Sequence, residues 1–143
     1  MTTLREQITA QTVAALTGAT PAGNNVFRSR EVSITRGLTP AIVVMPESLV
    51  STRMGATADR QELVLVLEIL VRGDPWDAIA DQVAEVAHRV MMKDQTIRIY
   101  ALDVRRLGAE YEAQEADRTA GVLSARYQIT YLTRPDDLAS QPT

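Results

Sequence analysis

Residues 119–133, TAGVLSARYQITYLT, alternate in polarity along most of their length. Leu123, Ala125, Tyr127, Ile129 and Tyr131 fall on one side, and Ser124, Arg126, Gln128 and Thr130 on the other. A period of two is the strand repeat, because successive side chains leave a pleated backbone on opposite faces. At helical spacing the same five apolar residues would scatter around the axis. This stretch therefore demands a sheet with one face packed and one face wet, and the rest of the chain has to supply the packing.

A second strand candidate spans residues 61–72, QELVLVLEILVR. Leu63, Leu65, Leu67, Ile69 and Val71 take one face; Val64, Val66, Glu68 and Leu70 take the other. Both faces are largely apolar, which predicts a central strand covered twice, by helices on one side and by a neighbouring subunit on the other. On that reading Val66→Asp and Ile129→Asp both abolish soluble folding. Residues 40–45, PAIVVM, form a β-branched run that Pro46 is expected to end. Residues 47–59 show no clear period and are expected as a long mobile loop. Residues 26–30 suggest a short edge strand, with Phe27, the single phenylalanine, pinning it to the core. Residues 96–101 alternate briefly, and residues 102–113 read as a strand with a bulge at Gly108. A turn is expected near residues 117–121.

Two helices complete the set. Residues 3–17 open with Thr3 three positions before Glu6, a capping-box spacing, and carry Leu4, Ile8, Ala15 and Leu16 on one stripe that Thr12 interrupts. Gly18 is the expected stop. Asp74-Pro75-Trp76-Asp77 marks the second start: Asp74 as cap, Pro75 at the first helical position, Asp77 at the positive end of the dipole. Ile79, Val83, Val86, Ala87 and Val90 then form an apolar stripe that runs to about Lys93. The predicted class is α+β: an antiparallel or mixed sheet of about four to five strands with two main helices on one face, in the order α-β-β-α-β-β. Residues 1–133 make one domain, and residues 134–143 a flexible polar tail.

Composition narrows the function. The chain has 143 residues, no cysteine, one histidine and a net charge of −3. Thiolate metal sites and disulfides are thereby excluded, and a general electrostatic grip on nucleic acid is disfavoured. The N-terminal residues lack a signal-peptide pattern, and no apolar run is long enough for a membrane helix. The expectation is synthesis in the cytosol. His88 stands alone, with no second ligand or nucleophile at a recognisable spacing. Glu110, Glu112, Glu115 and Asp117 form an acidic run whose first two members share a strand face. They suit a solvated charged surface, or acid–base or divalent-ion chemistry. Arg28, Arg30, Arg105 and Arg106 are basic spots able to meet phosphate or acids across an interface. No glycine-rich phosphate loop and no G-x-S-x-G elbow occurs. The chain is accordingly expected to be neither an enzyme nor a cofactor binder.

The ordered segments carry a resemblance. An N-terminal helix opening Leu4-Arg5, the Val26-Phe27 piece, Thr39-Pro40-Ala41-Ile42-Val43-Val44, the strand from Glu62-Leu63 to Ile69-Leu70-Val71, the helix from Asp77-Ala78 to Met92-Lys93-Asp94, and the closing Gly121-Val122-Leu123-Ser124-Ala125 with Ile129-Thr130-Tyr131 follow one another as in a known family. In that order the chain resembles the tail terminator proteins of long-tailed phages, the lambda-type minor tail protein U family. The resemblance covers residues 4–133. It implies an α/β subunit of a homo-oligomeric, six-fold ring in the virion tail, assembled in the host cytoplasm. Such a ring caps the tail tube, contacts the major tail tube protein and a head-completion or connector protein, and ends polymerisation. DNA passes through its lumen unbound, which an acidic lining would favour. The competing expectations are another head–tail completion protein, and a small-ligand or enzymatic α+β domain built around the carboxylates and a pocket between sheet and helices.

Overall fold

The computed structural model describes residues 2–29, 39–114 and 117–142, with backbone alone for Asp117 and Arg118. The chain runs α1 (Leu4–Leu16), β1 (Val26–Arg28), β2 (Ala41–Arg53), β3 (Asp59–Arg72), α2 (Trp76–Lys93), a single 3-10 turn (Ile97–Ile99), β4 (Ala101–Gln114) and β5 (Asp117–Thr133). One five-stranded sheet has the order β1-β2-β3-β5-β4. β1 joins β2 in parallel, and every other neighbouring pair is antiparallel. The predicted α+β class holds, with both helices on the same face.

The sheet register explains the core. Leu63, Leu65, Leu67 and Ile69 of β3 stand opposite Ile129, Tyr127, Ala125 and Leu123 of β5, so both alternating stripes point the same way. Ile42 and Val44 of β2 continue the layer beside Ile69 and Leu67. α2 covers it with Ala80, Val83, Ala87 and Met91, and α1 with Leu4, Ile8 and Leu16, all buried. The α2 stripe sits slightly rotated from its expected centre, with Ile79 and Val90 only partly buried at its margin. Thr12 does not break the α1 stripe. It is fully buried, because its hydroxyl donates to the Ile8 carbonyl at 2.8 Å and leaves only the methyl to pack.

Several expectations need correction. Pro46 does not end β2, and residues 47–59 are no long loop: β2 continues to Arg53, turns at residues 54–58 and returns as β3. Among the described residues β1 pairs no farther than Val44, so the missing amide of Pro46 breaks no described bond, beside a bulge between Pro46 and Ser48. Val26 rather than Phe27 is the buried residue of β1. Residues 97–99 are a 3-10 turn, since Asp94 Oδ1 accepts from the amides of Thr96 at 2.8 Å and Ile97 at 3.0 Å and curls the chain. Pro75 itself is the α2 cap, without a side-chain bond from Asp74. β5 begins at Asp117, so Gly121 lies within a strand rather than a turn. There it makes room for Trp76: a Cβ at Gly121 would stand 2.4 Å from the indole ring.

Residues 134–142, expected as a flexible tail, carry their own hydrogen bonds. Asp137 accepts from the Ala139 amide at 2.9 Å and the Ser140 hydroxyl at 2.7 Å, and the Leu138 carbonyl accepts the Leu4 amide at 3.0 Å. These bonds hold the Asp137 carboxyl below its ordinary range. The segment thereby satisfies one of the free amides at the start of α1.

Candidate assembly surface

The face of the sheet away from the helices is formed by the alternate positions of each strand. At its centre lie Val43, Met45, Val64, Val66 and Leu70, with Glu68 among them opposite Val43. No element among the described residues covers them, yet Val66 is only 5 % exposed. Its cross-strand partners are Met45 on β2 and Arg126 on β5.

Arg126 organises this face. Its guanidinium lies 2.8 Å from Glu47 of β2 and 3.5 Å from Glu110 of β4, so one cation on β5 links both flanks of the sheet. Beside it, Gln128 donates to Glu62 at 2.8 Å, and Arg60 lies 3.3 Å from Glu62. Glu112 stands two residues beyond Glu110, opposite Val122, and both glutamates are exposed. The predicted sharing of a face by Glu110 and Glu112 is therefore what the strand provides. Their mutual repulsion is offset at Glu110 by Arg126. Glu115 lies outside the described residues; Asp117 is placed by its backbone at the start of β5, opposite Gln114.

The basic candidates do not form one cluster. Arg105 points to the open face with the glutamates, opposite Gln128, whereas Arg106 stands opposite Tyr127 on the helix side. Arg28 is engaged within the chain. Its two terminal nitrogens bond both carboxylate oxygens of Glu6, one of them at 2.8 Å, and this clamp ties β1 to α1. The bond to Arg28 holds the Glu6 carboxyl below its usual value, and raises that of Arg28 in turn. Glu6 thus gives up the second half of a capping box, while Thr3 still accepts the Glu6 amide at 3.1 Å. Arg30 lies outside the described residues.

On the helix side, α2 and β4 leave a crevice of about 230 Å³ lined by Asp81, Ala84, Glu85, His88 and Arg106. His88 Nδ1 lies 2.8 Å from the Tyr127 hydroxyl, with the rings stacked 5.8 Å apart. The Tyr111 hydroxyl donates to Asp81 at 2.6 Å. Burial pushes the Tyr127 phenol above its ordinary value, while Arg106 pulls the other way; the bond to Asp81 raises Tyr111. This polar cluster holds His88 in a structural contact between helix and sheet. It lies on the opposite side of the sheet from Glu110 and Glu112, so the acidic pair has no enclosed volume over it from the helices.

Sequence reasoning missed the two edges. Beyond Val44, β2 has only β3 as a partner among the described residues, and β4 has only β5. Leu49 and Val50 on the first edge and Leu102 and Leu107 on the second are exposed. The signal was available in the alternation of β4, but the loop reading of residues 47–59 concealed the other edge.

No family model and no curated protein matches the chain. Among solved structures, it is similar to a chain described as "Virion of native gene transfer agent (GTA) particle", with a TM-score of 0.66 and 13 % identity, covering 91 % of this chain and 95 % of that one. At that identity the likeness is one of fold, and it extends over nearly the whole of both chains.

Proposed function

We propose that the chain is a structural subunit of a phage-like particle that works by association, as a tail terminator. Its ring, six-fold by the resemblance, caps the tail tube and presents the other side to a head-completion or connector protein in the virion tail. The observation that carries this reading is the likeness in fold to a virion chain over nearly the whole of both chains. The order of segments resembling tail terminators agrees with it. The open sheet face and two sheet edges that have no further partner among the described residues supply association surfaces. Placing Glu110 and Glu112 toward the lumen would repel DNA in transit; this also accounts for exposed carboxylates with no crevice above them.

The mechanism is steric. A ring that docks on the last tube ring by one side, and lacks a tube-like surface on the other, stops growth without chemistry. The test is to delete the gene and image particles. Overlong, headless tails restored to uniform length by the cloned gene are the expected result. Tails of normal length that fail only to join heads would favour a head–tail completion protein instead. Normal infectious particles would defeat both.

A further inference from the structure

We propose that copies of this chain join by strand addition, the free rim of β2 in one copy pairing with the free rim of β4 in the next, so that the sheet continues through a closed ring. This deepens the assembly reading above and rests on it. It names the surface and the partner, a second copy of the chain.

Main-chain geometry identifies the rims. The Ile42 amide donates to the Asn25 carbonyl at 2.9 Å, and the Val44 carbonyl accepts from the Ser29 amide at 3.1 Å. Even-numbered positions there turn their peptide groups away from β3 and toward β1. Among the described residues β1 pairs no farther than Val44, and the bulge between Pro46 and Ser48 moves the alternation by one. Leu49, Ser51 and Arg53 then turn theirs outward, with no described partner. On β4, Asp103, Arg105, Glu110 and Glu112 face β5 opposite Thr130, Gln128, Ser124 and Val122, so Val104, Ala109 and Tyr111 turn theirs outward.

Strand direction makes the two rims compatible. β2, β3, β5 and β4 alternate in direction across the sheet. A neighbour's β4 set beside β2 continues that alternation and pairs antiparallel, the more stable class. Because β2 meets β4 rather than another β2, the contact is head-to-tail, the kind that generates rings. β1 blocks the first part of β2, so the incoming strand engages only the part beyond it. That fixed offset is a stagger, which a closing sheet requires.

The β2 rim also lacks the usual protection. Edge strands that stay unpaired carry charges, particularly lysine, to repel strand addition. Residues 48–52, Ser-Leu-Val-Ser-Thr, carry none, keep a regular register and include Val50 at 58 % exposure. On β4, Leu102 is 64 % exposed. A monomer would present this stretch of β2 as an aggregation site; the β4 rim carries Asp103, Arg105, Arg106, Glu110 and Glu112 and three register irregularities, so it suits a specific partner rather than any strand.

Native mass spectrometry of the purified full chain tests this. Leu49→Pro and Ala109→Pro each remove one outward amide. Each alone should fall from the ring mass to that of a single 15.7 kDa chain. Mixed in equal amounts they should give a species of two chains, since each retains the rim that the other lacks. Val50→Lys and Leu102→Lys, at exposed positions, serve as a second pair wherever circular dichroism shows that a proline variant is unfolded. Rings that persist in both lysine variants and in every folded proline variant would overturn the edge pairing and leave the ring reading intact. Loss of the ring without two-chain species on mixing would overturn the head-to-tail arrangement. A wild-type chain that stays monomeric, alone and on tail tubes, would overturn the ring reading itself.

Discussion

The two faces of one sheet are built to different standards. On the helix side, Leu63, Leu65, Leu67, Ile69, Leu123 and Ile129 are fully buried, and α1 and α2 close over them. On the other side, a small apolar centre is ringed by Glu47, Glu62, Glu110, Arg60 and Arg126, held in ion pairs open to water. The first face carries the free energy of folding, since buried aliphatic area is the dominant favourable term. The ion-paired rim of the second adds little to folding, because exposed ion pairs are worth about 0–1 kcal/mol. It is free to be shaped by what the protein meets.

The sharpest test of this division is a carboxylate placed on each face. Ile129→Asp puts a charge among fully buried side chains, at a cost of several kcal/mol against a total stability of about 5–15 kcal/mol. No soluble folded protein is expected. Val66→Asp, one strand away, has Arg126 directly opposite as a partner and should remain soluble, with a loss of about 1–3 kcal/mol by urea titration. Equal outcomes for the two would erase the distinction. This separates two substitutions that the alternation in the sequence treated alike.

Alkaline titration addresses the helix face alone. Burial pushes the Tyr131 phenol from 10.0 to about 12. A neutral phenol favoured by the folded state contributes its stability fully below the unfolded value, and loses it as pH rises through the folded one. Stability should therefore fall by about 1–3 kcal/mol between pH values near 10 and 12, because each tenfold change in proton affinity is worth about 1.4 kcal/mol. Tyr131→Phe should flatten that decline when urea midpoints are compared across the same range. A decline unchanged in the variant would assign it to other groups.

Gly121→Ala probes the seam between α2 and β5. Its methyl would meet the Trp76 ring at 2.4 Å, and about 1–3 kcal/mol of strain is expected, with a shift in tryptophan fluorescence marking the displaced indole. An unshifted spectrum and unchanged stability would mean that the seam yields freely. The smallest effect belongs to the open face. Glu110→Gln with Glu112→Gln should change the urea midpoint by no more than about 0.5 kcal/mol equivalent, while altering assembly if the proposed function holds. A large loss of stability would show that this face, too, holds the fold together.

The helix face was legible because alternation in β3 and β5 and helical spacing in α2 report burial directly. Thr3, Gly18, Lys93 and the Gly108 bulge were legible for the same local reasons. The far half of β2 was not. Pro46 looks like a terminator until β1 is known to stop at Val44, and that is a fact of pairing between distant residues. The 3-10 turn at residues 97–99 was hidden because a short alternating run cannot show that Asp94 has curled it. Of the proposed surface, Glu110 and Glu112 could be read from spacing, whereas the separation of Arg105 from Arg106 and the commitment of Arg28 to Glu6 depend on which strand lies beside which.

The bond from the Leu4 amide to the Leu138 carbonyl brings the two extremities of the described chain to one spot. A permuted version, with a short glycine–serine bridge across that spot and a fresh opening at the tip between β2 and β3, would keep every strand pairing. Linkers to an affinity handle or fluorophore would leave the described chain from one corner of the subunit, beside α1.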